Sequence, residues 1–481
     1  MDSVLDSLPP ALVTSWRIAG WAIRIGAVFI IPHRRPPAQA RAWLFFFLLM
    51  PLVALGCYAV FGRVYQPKRL ARMRERVTRV LTRAAEQWND RSHVEEAPLP
   101  ENLQGVARLA VNLSGFPITR GNAVELFDTH PEGEEALIRD IESAQHHVHL
   151  MYYIFEDDRY GRRVADAVTQ AARRGVACRV LMDAVGAAKG LKHLRSGLVE
   201  AGVEVVEMLP VGFLKRQTAR FDLRNHRKIA VFDGCIAHVG SANIVEPPCR
   251  HGRPCEEIVL RITGPVASQF QVVFLGDRYL ELEERIDSPD LFPPIEESGS
   301  VYAHVLPSGP LHDFSHTRKV LTSLIHNAVK RVCVTTPYFV PDATYVNALQ
   351  AAALGGAEVH LIVPKRSDSL IVTYAQESFF EPLIVAGVRI HCYRPTLLHS
   401  KIVTIDGEIA VVGSANMDIR SLDLNREVSL LCYDRSVTAA LERIEQRYMS
   451  DSTEITKELW DRRSLKRKFL QNTSRLFDAF L

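Results

Sequence analysis

The sequence has 8 cysteines but no CxxC pair, and their scatter outlines no disulfide framework. Nothing in it requires a disulfide, which fits a reducing compartment. Cys249, His251 and Cys255 lie close together, yet the stretch reads as a loop rather than a zinc site, and no metal is expected. Net charge is also small: 58 Lys and Arg against 55 Asp and Glu leave +3. That is too little for a global field that holds a polyanion, so no nucleic-acid partner is expected. A cleaved signal peptide is not expected either. The first apolar run lacks a small-residue cleavage pattern, and a second apolar segment follows it.

What the chain does have, near its N-terminus, is 19 residues without a charge, Trp43 to Phe61. That length can cross a bilayer. The earlier run from Leu12 to Ile31 is interrupted by Arg17 and Arg24. A central Arg costs about 2.5–3.5 kcal/mol on insertion scales, so this run spans with its partner or lies in the interface. One or two transmembrane helices are therefore expected within 1–62, followed by a basic juxtamembrane segment, 63–117. Arg63, Lys68, Arg69, Arg72, Arg74, Arg76 and Arg79 outweigh Arg34, Arg35 and Arg41 in the loop between the runs. The bulk of the chain is expected on the cytoplasmic side of the membrane. A last segment, 456–481, mixes Arg462, Arg463, Lys466, Arg467, Lys468 and Arg475 with Leu465, Phe469, Leu470, Leu476, Phe477 and Phe480. Two readings stay open for it: a final packed helix, or a basic amphipathic helix on the bilayer.

Everything between is organised around one stretch that occurs twice. The first copy runs from His226 through Lys228 and Asp233 to Ser241 and Asn243. The second runs from His399 through Lys401 and Asp406 to Ser414 and Asn416; 12 of 18 positions are identical without a gap. Asp-Gly between two short apolar runs predicts a β-hairpin. With a two-residue turn, His226 falls opposite Ser241 and His399 opposite Ser414. Strand alternation then gathers an imidazole, an ammonium, a hydroxyl and a carboxamide at the open end of each hairpin. That set suits a phosphate: Lys as point charge, Ser and Asn as neutral donors, His as nucleophile or acid.

The aspartates read differently. Seven strand residues at roughly 3.3 Å each put Asp233 about 20 Å from His226, so an Asp–His pair within one copy is not expected. Holding the turn and its surroundings is the better reading for Asp233 and Asp406. A histidine acting on phosphate still wants a carboxylate behind its other nitrogen. Glu257 and Glu427, 31 and 28 residues after the respective histidines and each ahead of an apolar run, are the candidates.

The segments around the two copies also match. Ala167–Leu181 and Ala348–Ile362 each read as a helix closed by Gly (Gly175, Gly356) and followed by a strand. Ala201–Val206 and Ala386–His391 form a second matching pair. The expected fold class is α/β: two tandem domains with mixed sheets, 118–295 and 296–455, preceded by the N-terminal transmembrane helices. They join near Ser288–Gly299, which is rich in Pro, Glu and Ser.

The HxKxxxxDG…GSAN pair resembles the signature of the phospholipase D superfamily. The whole chain is similar to bacterial cardiolipin synthases of that type. This likeness rests on Asp222–Lys228, Thr336-Pro-Tyr-Phe-Val-Pro341 and Arg420–Glu427, with the apolar segments and the basic tract. It implies two phospholipase D-like domains that join two phosphatidylglycerols into cardiolipin and glycerol, with no metal or other cofactor. It implies membrane phospholipids as partners, and His226, Lys228, Asp233, His399, Lys401 and Asp406 as the motif residues. Nucleophile duty would fall to His226; the nearly identical copies give no local reason to choose. A phospholipid-hydrolysing phosphodiesterase is the alternative. The stretch Pro247–Pro254, with its prolines and cysteines, departs from the family pattern and puts the role of Glu257 in doubt.

Overall fold

The computed structural model describes residues 10–34, 37–60, 93–211, 223–247, 254–286, 288–294, 296–309 and 315–475. The basic tract from Arg63 to Arg79, Phe61, Asp222, Cys249, His251, Leu476, Phe477 and Phe480 lie outside them. The chain forms two compact units, within 1–72 and 73–481.

In the first unit, helices Pro10–Ile30, Pro37–Leu49 and Pro51–Val60 pack around Ala27, Ile31, Ala40, Phe47, Ala54 and Tyr58. The run expected as one span is divided at Pro51, which has no N–H to donate. Bonds from Met50 N to Phe46 O (2.9 Å) and from Ala54 N to Met50 O (2.8 Å) carry the chain through the break. Arg24, the charge interrupting the first run, donates from Nε to the Leu48 carbonyl beside it at 3.1 Å. No helix among the described residues is long and apolar enough to cross a membrane. The unit nonetheless turns Trp21, Phe29, Phe45 and Leu49 outward, each more than half exposed.

The second unit holds both repeats on one sheet. Repeat 1 supplies β1 (Thr119–Phe127), β2 (His147–Tyr152), β3 (Ala177–Asp183), β4 (Glu204–Met208), β5 (Lys228–Phe232), β6 (Ile236–Gly240), β7 (Cys255–Glu256) and β8 (Val259–Thr263). Repeat 2 supplies β9 (Val301–Ser308), β10 (Arg331–Thr335), β11 (Phe339–Val340), β12 (Glu358–Pro364), β13 (Arg389–Tyr393), β14 (Leu397–Leu398), β15 (Ile402–Ile405), β16 (Ile409–Gly413), β17 (Met417–Asp418) and β18 (Glu427–Cys432), and β19 (Ser452–Glu454) adds an edge. The order is β19-β13-β12-β10-β15-β16-β18-β9-β1-β8-β6-β5-β2-β3-β4. Leaving out β19, the order is the same read from either end: each half runs outer parallel strands, motif hairpin, the strand after it (β18 or β8), then the strand at the joint (β9 or β1). Parallel pairing among β2, β3 and β4, and among β10, β12 and β13, comes from the βα units; the hairpins add antiparallel pairs.

The matching helices end as expected. Arg159–Arg173 is followed by Gly175 at φ 94° and Ala343–Leu354 by Gly356 at φ 100°, the left-handed stop that glycine takes most easily. Their starts match too, with Asp158 accepting from Gly161 N (2.8 Å) and Asp342 from Tyr345 N (3.0 Å). One apolar core joins the halves, with Ile229, Val239 and Leu260 meeting Val305, Ile402 and Leu430 in a single cluster. Flanking cores lie under the helices of each repeat.

The hairpins differ from expectation by one residue. Asp233 and Gly234 (φ 50° and 70°) and Asp406 and Gly407 (φ 55° and 73°) are type I′ turns. Each turn is closed by the residue after it, Cys235 N to Phe232 O (3.1 Å) and Glu408 N to Ile405 O (2.9 Å). Pairing then resumes at Phe232↔Ile236 and Ile405↔Ile409, so the loop has three residues. Extending that register sets His226 opposite Ala242 rather than Ser241, and His399 opposite Ala415 rather than Ser414.

Candidate active site

The site stands where the two hairpins open toward each other. His226 precedes β5 and His399 precedes β15, at the ends where the parallel strands of each repeat finish. What fixes them is backbone pairing between the repeats. Asn225 bridges Arg426 in parallel, and His226 N donates to Arg426 O at 2.9 Å. On the other side β14 pairs with β7, and His399 N donates to Glu256 O at 2.8 Å.

That pairing delivers each glutamate to the other repeat's histidine. His226 Nδ1 lies 3.0 Å from Glu427 Oε2, and His399 Nδ1 lies 2.6 Å from Glu257 Oε1. Both candidate carboxylates therefore stand behind imidazoles, and the pairs are crossed. Of the stretch Pro247–Pro254, residues 248–253 lie outside the described residues; β7 follows it in register, with Pro254 O accepting from Leu397 N at 3.0 Å. Glu427 is fully buried and also accepts from Ser414 Oγ at 2.5 Å.

Burial pushes the His226 pKa down to about 4, and the nearby Lys228 and Lys401 lower it further against the pull of Glu427. Burial alone raises the Glu427 pKa, but His226, Lys228 and Ser414 together bring it below its usual value. The two shifts agree on one state: a neutral imidazole giving its Nδ1 proton to a carboxylate, which leaves Nε2 with a free lone pair.

The lysines sit under the histidines, buried. Lys228 Nζ donates to His226 O (2.7 Å) and Lys401 Nζ to His399 O (2.6 Å). Lys401 of the other repeat adds to the downward shift of the His226 pKa. Asn243 Oδ1 accepts from Ile154 N at 3.2 Å, an orientation that turns its amide donor away from that backbone N–H. Asn416 bonds to Asp418, whose pKa burial raises to about 6. The serines face backbone: Ser241 Oγ accepts from Ile258 N (2.9 Å) and Ser414 Oγ from Val428 N (3.0 Å), tying each GSAN to the strand after its glutamate.

Asp233 and Asp406 hold the far end of the hairpins. Asp233 accepts from the backbone N–H groups of Gln145, His146 and His147, each at 2.8 Å. Asp406 accepts from those of Val329, Lys330 and Arg331 at 2.8–2.9 Å. Each carboxylate thus pins a helix-to-strand junction to the turn. We expect Asp406→Ala to destabilise the catalytic unit by about 3 kcal/mol, since three bonds to a charged group are lost. Urea unfolding checks this; an unchanged midpoint contradicts it.

Two features escape the motif reading. The Tyr153 ring lies 4.9 Å from that of His226 and 5.6 Å from Lys228 Nζ. Arg227, buried, ties the repeats together: it donates to Glu427 O (2.9 Å), Asp277 Oδ2 (2.7 Å) and Ser308 O (3.1 Å). Its place between His226 and Lys228 is the signal for it, because strand alternation turns it to the other face.

Residues 137–278 and 321–449 match the family described as cardiolipin synthase, PLD-like domain. The chain belongs to that family. It is 33% identical over 481 aligned residues to cardiolipin synthase A of Yersinia pseudotuberculosis, covering 97% of this chain and 98% of that protein. The Klebsiella pneumoniae cardiolipin synthase A is 32% identical over 494 residues, with 98% and 100% covered. Among solved structures, phosphatidylserine synthase of Haemophilus influenzae superposes with a TM-score of 0.59 at 16% identity, covering 78% of this chain and 97% of that one. At that identity the likeness shows the fold alone. One matched segment falls in each repeat, and both dyads are built across them.

Proposed function

We propose that the chain is a cardiolipin synthase that moves a phosphatidyl group from one phosphatidylglycerol to another and releases glycerol. The observation that carries this is the crossed pair of His–Glu dyads, two imidazoles with carboxylates behind them in a site fed by two lysines.

His226 Nε2 attacks phosphorus, and the P–O bond to glycerol breaks as His399 protonates the leaving oxygen. His399 then takes the proton from the terminal hydroxyl of a second phosphatidylglycerol. That oxygen attacks phosphorus, the P–N bond breaks, and His226 returns to its neutral form. Lys228 and Lys401, with Asn243 and Asn416, hold the non-bridging oxygens as charge builds. Glu427 and Glu257 fix the tautomers and stabilise each imidazolium as it forms. Asp233 and Asp406 position the hairpins.

The outward apolar side chains of the first unit are read as lipid-facing, an anchor within 1–62 in the bacterial inner membrane. The basic segment of 63–117 is read as cytoplasmic, which puts repeats 118–295 and 296–455 and the tail 456–481 on that side. The membrane tilts the reaction toward transfer, because lipid hydroxyls are locally abundant there. Enzyme reconstituted with phosphatidylglycerol as the only lipid should yield cardiolipin and glycerol in equal amounts. Phosphatidic acid without cardiolipin would make the chain a hydrolase instead.

A further inference from the structure

Beyond the strand ends at the site, several large apolar side chains are exposed among the described residues. In repeat 1 the ends of β2, β3 and β4 are level with Lys228, by the pairs Tyr152↔Lys228, Tyr152↔Met182 and Asp183↔Met208. In repeat 2 the ends of β10 and β12 are level with Ile402, directly after Lys401. Side chains that follow these ends therefore lie on the same edge of the sheet as the site. They are Val185 (50% exposed) after β3, Val211 (47%) after β4, and Leu370 (68%) and Ile371 (52%) after β12.

The helix Leu370–Glu377 is widened by the last described helix, Leu465–Arg475. Arg467 and Gln471 bond Glu377 on that first helix, and the Arg475 guanidinium lies 5.1 Å from the Phe379 ring centroid. With the inner face so engaged, Leu465 (84%) and Phe469 (69%), one turn apart, point outward. Lys365, Arg366 and Lys466 stand exposed among them.

We infer that this edge is a membrane-docking face, by which the catalytic unit sits site-down on an anionic phospholipid surface. The inference rests on the reading that the substrate is a membrane lipid. Large apolar side chains interleaved with Lys and Arg match an anionic headgroup layer over acyl chains. A second copy of the chain seated there would cover the site that lipid must enter, so a bilayer is the occupant the placement favours. Docked this way, the site takes lipids from the layer without drawing them through water.

The test uses the full chain reconstituted in phosphatidylglycerol vesicles. Leu370→Glu, Ile371→Glu and Phe469→Glu combined should lower kcat/KM on vesicles at least about tenfold. The same variant should stay within about twofold of the parent on a short-chain phosphatidylglycerol below its micelle concentration. Leu354→Glu, 75% exposed at the opposite end of the sheet, should change neither. Equal losses on both substrates, or none on vesicles, overturn the docking face. A photoreactive benzoylphenylalanine at position 371 or 469 gives a readout that needs no turnover. It should cross-link phospholipid, while the same probe at 354 does not. Cross-linking to a second copy, or equal lipid labelling at 354, also overturns it. If the parent docks by this readout yet makes no cardiolipin, the proposed reaction fails and the docking face stands.

Discussion

His226→Ala and His399→Ala should each cut cardiolipin formation by at least about 10^4-fold per folded molecule. The two imidazoles belong to different repeats and, in the proposed mechanism, perform different steps, so neither would cover for the loss of the other. Such a loss corresponds to about 5.5 kcal/mol of transition-state stabilisation. Removing either imidazole also strands a buried carboxylate, which costs stability. Glu427 keeps the Ser414 hydroxyl at 2.5 Å, so the cost for His226→Ala stays below that of an unpaired charge. Circular dichroism and a melting curve separate the two effects. A folded variant retaining a tenth of the parent rate contradicts the assignment.

Glu427→Gln should cost about 10^3- to 10^4-fold, because an amide set against Nδ1 no longer holds the donating tautomer. The crossed geometry makes the consequence specific. Glu427 lies in repeat 2 but serves His226, and Glu257 lies in repeat 1 but serves His399. A phosphatidyl ester with a p-nitrophenol leaving group needs no general acid to depart. On that substrate Glu257→Gln should recover nitrophenol release in the first turnover, and Glu427→Gln should not. Recovery in Glu427→Gln alone would assign the nucleophile to His399.

Much of this was legible in the sequence. The duplicated HxK motif, the Asp-Gly turns and the glycine-closed helices are local signals, and local signals give the α/β repeats and the turns at Asp233 and Asp406. The one-residue loop difference was not legible, since Cys235 and Glu408 look like any residues that follow a turn. The glutamates could be found but not matched to their histidines. Spacing along the chain suggests a partner in the same copy. The actual partner is set by pairing of Asn225 with Arg426 and of β7 with β14, between residues far apart in sequence. Pro51 was visible within the charge-free run, but only the structure shows the helix dividing there and Arg24 reaching the Leu48 carbonyl.

The proposed reaction needs one site made from two repeats, with Nε2 of His226 as the atom that carries the phosphatidyl group. Trapping that group tests it directly. His226→Ala and His399→Ala are each incubated with the nitrophenol ester, quenched in alkali to preserve phosphohistidine, and mapped by mass. The account predicts a phosphatidyl adduct on His226 in the His399→Ala protein and none in His226→Ala. An adduct on His399 in the His226→Ala protein, with none on His226 in its counterpart, would contradict it.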